Sequence, residues 1–452
     1  VLTCRTRFVA VATVVSVFAG RYAQAQTSVF GTGSVALTYS DNVYNASSHP
    51  LPGRLQRRPA WFTTVAPGVG LTHETETARY LLTYSHSYTY YFETVDAGGH
   101  GDNLVAEGAF VLTPRDDLTL SVSGARTPSA VRDAEYTVPG QVEPEANVTY
   151  LNAGVRQTMR HSYSERWSAE ESASVSVMKP EGGSGPRPWR LTAAAAVGAA
   201  YELEHDRWTF DYTATYFHSR ASGTGDARVP RQRYLRSGPA AGWRHDLDAE
   251  WSTDLHVGLG VGYDPDQERR FRPEPEGGAA LNWLHFPYSA SINCSGATTP
   301  NLRANRLYFS DSVGLNGAWV VLPDQDLSLS TRHAASTNRT LGGTRSEDEP
   351  TVYAWTSSLA LTWSPAELPS VSLSYEHSRQ WGASSAVDVS TFHRNDVMLV
   401  AEWRFPTVEV RRVNSPPQTR VDRADELRSD QRNEPTDANR DASGSPARSE
   451  SP

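Results

Sequence analysis

Residues Val65 to Phe92 read VAPGVGLTHETETARYLLTYSHSYTYYF, and they constrain the fold more than any other stretch. Tyr80, Leu82, Tyr84, His86, Tyr88, Tyr90 and Phe92 fall on one parity, and Thr83, Ser85, Ser87 and Thr89 on the other. A β-strand sends successive side chains to opposite faces, so this strand has one aromatic face and one hydroxyl face. The first half alternates as well, with Val65, Val69 and Leu71 on one face, and His73-Glu74-Thr75-Glu76-Thr77 makes a polar turn between the halves. The small, hydroxylic face of this hairpin is no protein core. A soluble sandwich buries its apolar faces and shows polar ones to solvent. A membrane barrel inverts that order, with apolar residues toward lipid and polar ones toward water.

The pattern continues along the 452 residues. Eighteen alternating segments emerge, joined in turn by eight short turns and nine longer loops. The expectation is an all-β chain forming a single antiparallel transmembrane β-barrel of about 18 strands, with 16 as the alternative count. Gly278 to Trp283, Tyr288 to Cys294 and Leu327 to Arg332 are among the shorter predicted strands. Trp167, Trp208, Trp243, Trp251, Trp283, Trp319, Trp363 and Trp403 lie beside short turns, whereas Trp61, Trp189, Trp355 and Trp381 lie beside long loops. Amphipathic rings favour membrane interfaces, so the two groups are expected to form two girdles.

Arg5 and Arg7 precede an apolar run from Phe8 to Ala19, and Ala23-Gln24-Ala25 follows, which reads as a secretory leader over residues 1–25. Residues 26–405 are then the barrel, and 406–452, rich in Arg, Asp, Ser and Pro, are a tail expected to be disordered in the periplasm. An even strand count places both termini on the short-turn, periplasmic side of an outer membrane. Cys294 is the one cysteine after the leader and forms no internal disulfide. The net charge of −9 argues against nucleic acid as a partner.

No catalytic or metal-binding spacing stands out, and neither an enzymatic activity nor a cofactor is expected. Gly182-Gly183-Ser184-Gly185 lacks the spacing of a nucleophile elbow. Gly258-Leu259-Gly260-Val261-Gly262 lies in a strand and reads as a thinning of the wall. His86, His218 and His256 are scattered on different strands and read as structural. The inward set carries the functional content: Ser85, Ser87, Thr89, Ser172, Ser174, Asp211, Thr213, Thr215, Asp254, Thr356, Ser374 and Glu376 are the expected lumen lining. Such a lumen reads as wide, wet and nearly neutral, with isolated charges, suited to a polar solute such as a sugar. An arginine-lined constriction would favour a porin, and a buried Ser–His pair on the outer wall would favour an enzyme.

Val397, Leu399, Ala401, Trp403 and Phe405 share one face of the last segment, and its aromatic-x-aromatic end, Trp403 and Phe405, resembles the signal read by the outer-membrane insertion machinery. Val400 stands where that signal often carries a small residue, and the chain continues past it. Tyr39-Ser40-Asp41-Asn42-Val43-Tyr44, Ala66 to Leu71 and Tyr80 to Tyr91 resemble the opening strands of a family of β-barrel porins. That family often accompanies exopolysaccharide loci. Similar eighteen-stranded barrels in myxobacteria look like the outer-membrane conduit of Wzx/Wzy-type polysaccharide export, working with a periplasmic export protein. The resemblance therefore implies export of an exopolysaccharide to the cell surface. The alternatives are a general or substrate-selective porin for small polar solutes, and a barrel with no transport role, either a surface scaffold or an outer-membrane enzyme.

Overall fold

The computed structural model describes residues 26–43, 56–93, 98–128, 148–182, 189–220, 231–265, 271–301, 306–341, 351–365, 368–383, 391–405 and 408–409. The proposed leader and the tail beyond 409 lie outside the described residues. The strands are β1 (Gln26–Ser40), β2 (Ala60–Glu74), β3 (Ala78–Tyr91), β4 (Gly99–Thr113), β5 (Asp116–Pro128), β6 (Val148–Ser162), β7 (Trp167–Gly182), β8 (Arg190–Glu202) and β9 (Asp206–Ser219). They continue as β10 (Gln232–Asp246), β11 (Trp251–Tyr263), β12 (Phe271–His285), β13 (Tyr288–Asn301), β14 (Arg306–Leu322), β15 (Leu327–Leu341), β16 (Thr351–Trp363), β17 (Ser370–Ala383), β18 (Phe392–Arg404) and the two-residue β19 (Val408–Glu409).

Each strand from β1 to β17 pairs antiparallel with its successor, and β18 pairs back onto β1. The closing register runs from Thr32 opposite Arg404 to Ser40 opposite Asp396. The fold is therefore a closed antiparallel barrel of 18 strands. Closure leaves no unpaired edge, which a wall in lipid requires.

The apolar residues face outward. Val69 is 51 % exposed, Val257 66 % and Phe210 53 %, and Leu315 and Leu373 are comparable. Short-turn aromatics meet across neighbouring strands, with Trp208 and Trp243 at 5.8 Å, Trp251 and Trp283 at 6.1 Å, and Tyr288 and Trp319 at 5.9 Å. At the other end Tyr39 meets Trp61 at 5.1 Å and Tyr353 meets Trp381 at 5.7 Å. These cross-strand aromatic pairs form the two expected rims, each pair contributing about 0.5–1.5 kcal/mol beyond the area it covers.

All eighteen predicted strands are present, but several are longer. β12 starts at Phe271 rather than Gly278, β13 runs on to Asn301 past Cys294, and β15 runs to Leu341 past Arg332. Beyond the aromatic rims both strand faces meet polar surroundings, so the alternation fades while the hydrogen-bond ladder continues. One consequence is that the β13–β14 connection spans only residues 302–305, although it lies on the long-loop side.

The closing seam explains Trp403 and Phe405. Both lie on the outer face, over two glycines of β1. A Cβ added to Gly33 would sit 2.5 Å from the Trp403 indole, and one added to Gly31 would sit 2.8 Å from the Phe405 ring. The Phe405 backbone N–H donates to the Gly31 carbonyl at 2.9 Å. Pairing then continues through β19, where Val408 faces Val29 and Glu409 faces Ser28.

Candidate lumen and its mouth

Every residue of the expected lining lies on the strand face opposite the exposed apolar residues. Ser85, Ser87 and Thr89 back onto exposed Tyr84, Tyr88 and Tyr90, and Ser172 and Ser174 share the face opposite Val175. Asp211, Thr213 and Thr215 back onto Phe210, Tyr212 and Tyr216, Asp254 onto Leu255, Thr356 onto Trp355, and Ser374 and Glu376 onto Leu373 and Tyr375. Inward polar groups bond to one another along the wall. Thr64 and Thr89 hydroxyls are 3.0 Å apart, and the Asn282 amide donates to Asp254 at 3.1 Å. Ser291, Ser295, Ser312 and Asn316 extend this lining on β13 and β14, with Ser295 and Ser312 at 2.8 Å.

The two ends of the lumen differ. Thr38, Ser40, Phe62, Tyr91, Met178, Arg190, Phe217, Ser219, Tyr234, Glu274, Asn338, Val352, Gln380, Phe392 and Arg394 are buried. All lie on inward faces within a few residues of a long connection. Towards the short turns, Phe30 and Ala200 are the buried inward hydrophobics among the described residues. Buried inward side chains thus gather at the long-loop end, and the inward face towards the short turns is more exposed.

Charge is concentrated at this mouth rather than isolated. Glu274 on β12 is 2 % exposed and is held by three groups. The Tyr234 hydroxyl of β10 donates to it, Arg272 Nε donates at 2.5 Å, and Arg236 Nε lies 3.5 Å away. Arg236 Nη2 also pairs with Glu276. These side chains reach from β10 to β12 across β11, whose inward residues here are glycines. A Cβ on Gly258 would lie 2.6 Å from Glu276 Oε1, on Gly260 2.9 Å from Arg236 Nε, and on Gly262 2.5 Å from Glu274 Oε1. The glycine repeat therefore clears a path for an ion-pair cluster, rather than simply thinning the wall. A buried charge without its partner is strongly unfavourable, so the cluster is cohesive as a unit. On β17 and β18, Arg394 bridges Glu376 at 3.1 Å and Asp396 at 2.9 Å.

These mouth residues were not evident in the sequence. Arg272, Glu274 and Glu276 do alternate, and so do Gly258, Gly260 and Gly262. Their relation appears only once the register sets Gly260 opposite Glu274 and Gly262 opposite Arg272.

The outer wall holds a Ser–His pair. The Trp355 indole N–H donates to Ser357 Oγ at 2.9 Å, and Ser357 Oγ lies 2.8 Å from His333 Nδ1. His333 Nε2 is 3.0 Å from Thr331 Oγ1, which donates to the Ser358 carbonyl at 3.2 Å. The tautomer follows from this chain: Nδ1 accepts and Nε2–H donates. Every member is satisfied by its neighbour. The third member is a hydroxyl, so no charge stabilises an imidazolium, and the surrounding backbone N–H groups are taken up by the sheet ladder. The arrangement keeps polar groups paired on a lipid-facing wall. His86 on the outer face lies 2.9 Å from Asp102, with the Tyr84 hydroxyl also on Asp102 at 2.8 Å. Among the described residues, no three His, Cys, Asp or Glu side chains converge as a metal site. Cys294 is free and exposed on the outer face, opposite Ala279 and Val313.

No protein-family model matches the chain, and no curated protein matches its sequence. Among solved structures it is similar in outline to OpdK of Pseudomonas aeruginosa crystallised with vanillate, at 9 % identity and a TM-score of 0.46, over 85 % of this chain and 100 % of that one. It is also similar to OccK2 (OpdF) of Pseudomonas aeruginosa in complex with glucuronate, at 10 % identity and a TM-score of 0.45, over 84 % and 98 %. The siderophore receptor PirA of the same organism matches at 11 % identity and a TM-score of 0.42, over 83 % and 80 %. The likeness is one of barrel outline, and the functional reading rests on the lumen itself.

Proposed function

We propose that the chain is an outer-membrane channel for small polar solutes of weak net charge. The observation that carries this reading is the mouth. A hydroxyl-lined, watery lumen leads to an end where inward side chains of many strands are buried, and Arg236, Arg272 and Arg394 there are matched by carboxylates. A crowded, compensated mouth suits a small solute better than a polymer passing as a chain. A barrel of this strand number leaves an aqueous interior in general, so selection falls to the mouth. Liposome swelling tests this directly. Vesicles carrying the purified barrel are expected to admit a pentose faster than a trisaccharide and to exclude dextran. Swelling rates equal to those of empty vesicles for every sugar would sink the proposal.

The export reading, with its periplasmic partner, rests on the resemblance alone and requires the buried mouth to open for a glycan chain. A deletion strain that loses surface polymer while still synthesising it would favour that reading.

A further inference from the structure

The outer wall over β6, β7 and β8 carries two polar side chains where lipid would lie. Glu171 on β7 shares its strand face with Trp167 and Val175, and Gln157 on β6 shares its face with Val155. Both are exposed. Val155, Val175 and Val197 around them are exposed as well, so this is the apolar face that surrounds the barrel. In the sheet Glu171 stands between Met159 and Val197, and Gln157 between Leu120 and Ala173. The two are one pair step apart on adjacent strands, at nearly the same height above the β6–β7 turn. Glu171 lies four residues past Trp167 of the short-turn rim, which is about 13 Å along the strand.

Neither side chain makes a hydrogen bond or an ion pair with a described residue. Elsewhere on the outer face such groups are paired within the wall. His86 lies 2.9 Å from Asp102, His333 2.8 Å from Ser357 and His377 2.8 Å from Asn395, and Arg339 pairs with Asp311 at 3.4 Å. A carboxylate or amide on the lipid face without a partner is unfavourable, because hydrocarbon supplies neither donor nor acceptor. The side chains beside the two are small. Ala169 stands opposite Ala199 and Ala173 opposite Ala195, whereas the next strand, β9, shows Trp208, Phe210, Tyr212 and Tyr216 on its outer face. Small residues let packed surfaces approach closely within a membrane.

We propose that this wall is the contact between two copies of the chain, related by a two-fold axis along the membrane normal that passes between β6 and β7. That rotation sets β6 of one copy against β7 of the other, so the same patch meets itself. The Gln157 amide of each copy then donates to the Glu171 carboxylate of the other, and donor and acceptor are matched twice by one pair of residues. This self-complementarity selects a second copy over lipid, whose chains have no donor to offer. The alanines beside the pair leave room for the two walls to close over it. The contact is independent of what the barrel conducts.

Disulfide trapping of the full-length barrel in lipid vesicles tests it, in a Cys294→Ser background. Ala173 lies next to the proposed axis, so Ala173→Cys should give a two-subunit band on oxidation. Leu359 is exposed on the outer face of β16, on the far side of the barrel, and Leu359→Cys should stay a single subunit. Sedimentation of the wild-type barrel in mild detergent should give the mass of two subunits. Heat-modifiable gel migration confirms that each sample is folded. The Gln157→Leu/Glu171→Leu double variant should fold, because it leaves an apolar wall, and should associate at least tenfold more weakly. Glu171→Gln keeps an acceptor and should still pair. A folded wild-type barrel that stays a single subunit at every protein-to-lipid ratio overturns the contact. Equal trapping of Ala173→Cys and Leu359→Cys overturns it too, as does undiminished association of the double leucine variant. A mass of three subunits overturns the two-fold arrangement.

Discussion

Asp41, one residue past β1, ties the closing seam together at the long-loop rim. Its carboxylate accepts the Asn395 backbone N–H at 2.8 Å and the Asn395 amide at 2.7 Å, and Arg57 pairs with it at 2.5 Å. Burial pushes its pKa up, but the Asn395 hydrogen bonds and the Arg57 guanidinium outweigh that and hold it below the ordinary carboxylate value. A depressed folded-state pKa contributes stability above the unfolded pKa, and that contribution is lost as pH falls through the folded value. Asp41→Asn should therefore lower the temperature of heat-modifiable unfolding at pH 7, by an amount equivalent to about 1 kcal/mol for a partly exposed group. The gap between the two proteins should close in strong acid, and a gap that persists there would show that charge is not the cause. Inward and outward positions separate just as sharply. Val175 is 47 % exposed on the outer face, whereas Ser174 faces the lumen. Val175→Arg should impair assembly, at about 2–4 kcal/mol near the bilayer midplane. Ser174→Trp should insert normally and slow swelling. Fractionation showing the reverse pattern would invert the assignment of faces.

Elements differ in how much of them could be read from sequence. Along β11 and β16, Trp251–Tyr263 and Thr351–Trp363, apolar residues recur on the outer parity over most of the length, so these strands are plain in the sequence. β13 was read short because Gly296, Ala297 and Thr298 break the contrast between faces while the ladder to β14 continues. The inward hydroxyls of β3, β7, β9 and β17 were legible from parity alone. The mouth cluster was not, since it joins β10 to β12 over the glycines of β11 and depends on register. That cluster makes its own prediction. Glu274→Gln removes the charge facing Arg272 and Arg236, so the current should shift toward anions, read as a change in reversal potential across a salt gradient. An unchanged reversal potential in a conducting variant would place the cluster off the conduction path. At the seam, Gly33→Val puts a branched side chain where the Trp403 indole lies, and it should reduce the folded fraction on a semi-native gel. Trp403→Ala in the same chain should restore part of that loss.

At the scale of the molecule, closure is the property on which everything else depends. The wall is complete only when β18 meets β1, and β19 adds two further pairs ending at Glu409. Truncation after Gly382 should abolish the folded barrel, while truncation after Glu409 should retain heat-modifiable migration. Sequence periodicity reaches this scale well, because strand number, the two aromatic rims and the polar interior follow from local alternation. Which end of the lumen gathers buried side chains does not follow, since that depends on the packing of residues from strands distant in the chain. The most direct test is single-channel recording of the purified, heat-modifiable barrel in a planar bilayer. Discrete conductance steps that fall reversibly as a small sugar is added and are insensitive to large dextran are predicted. A folded, inserted barrel that conducts no ions would contradict the account.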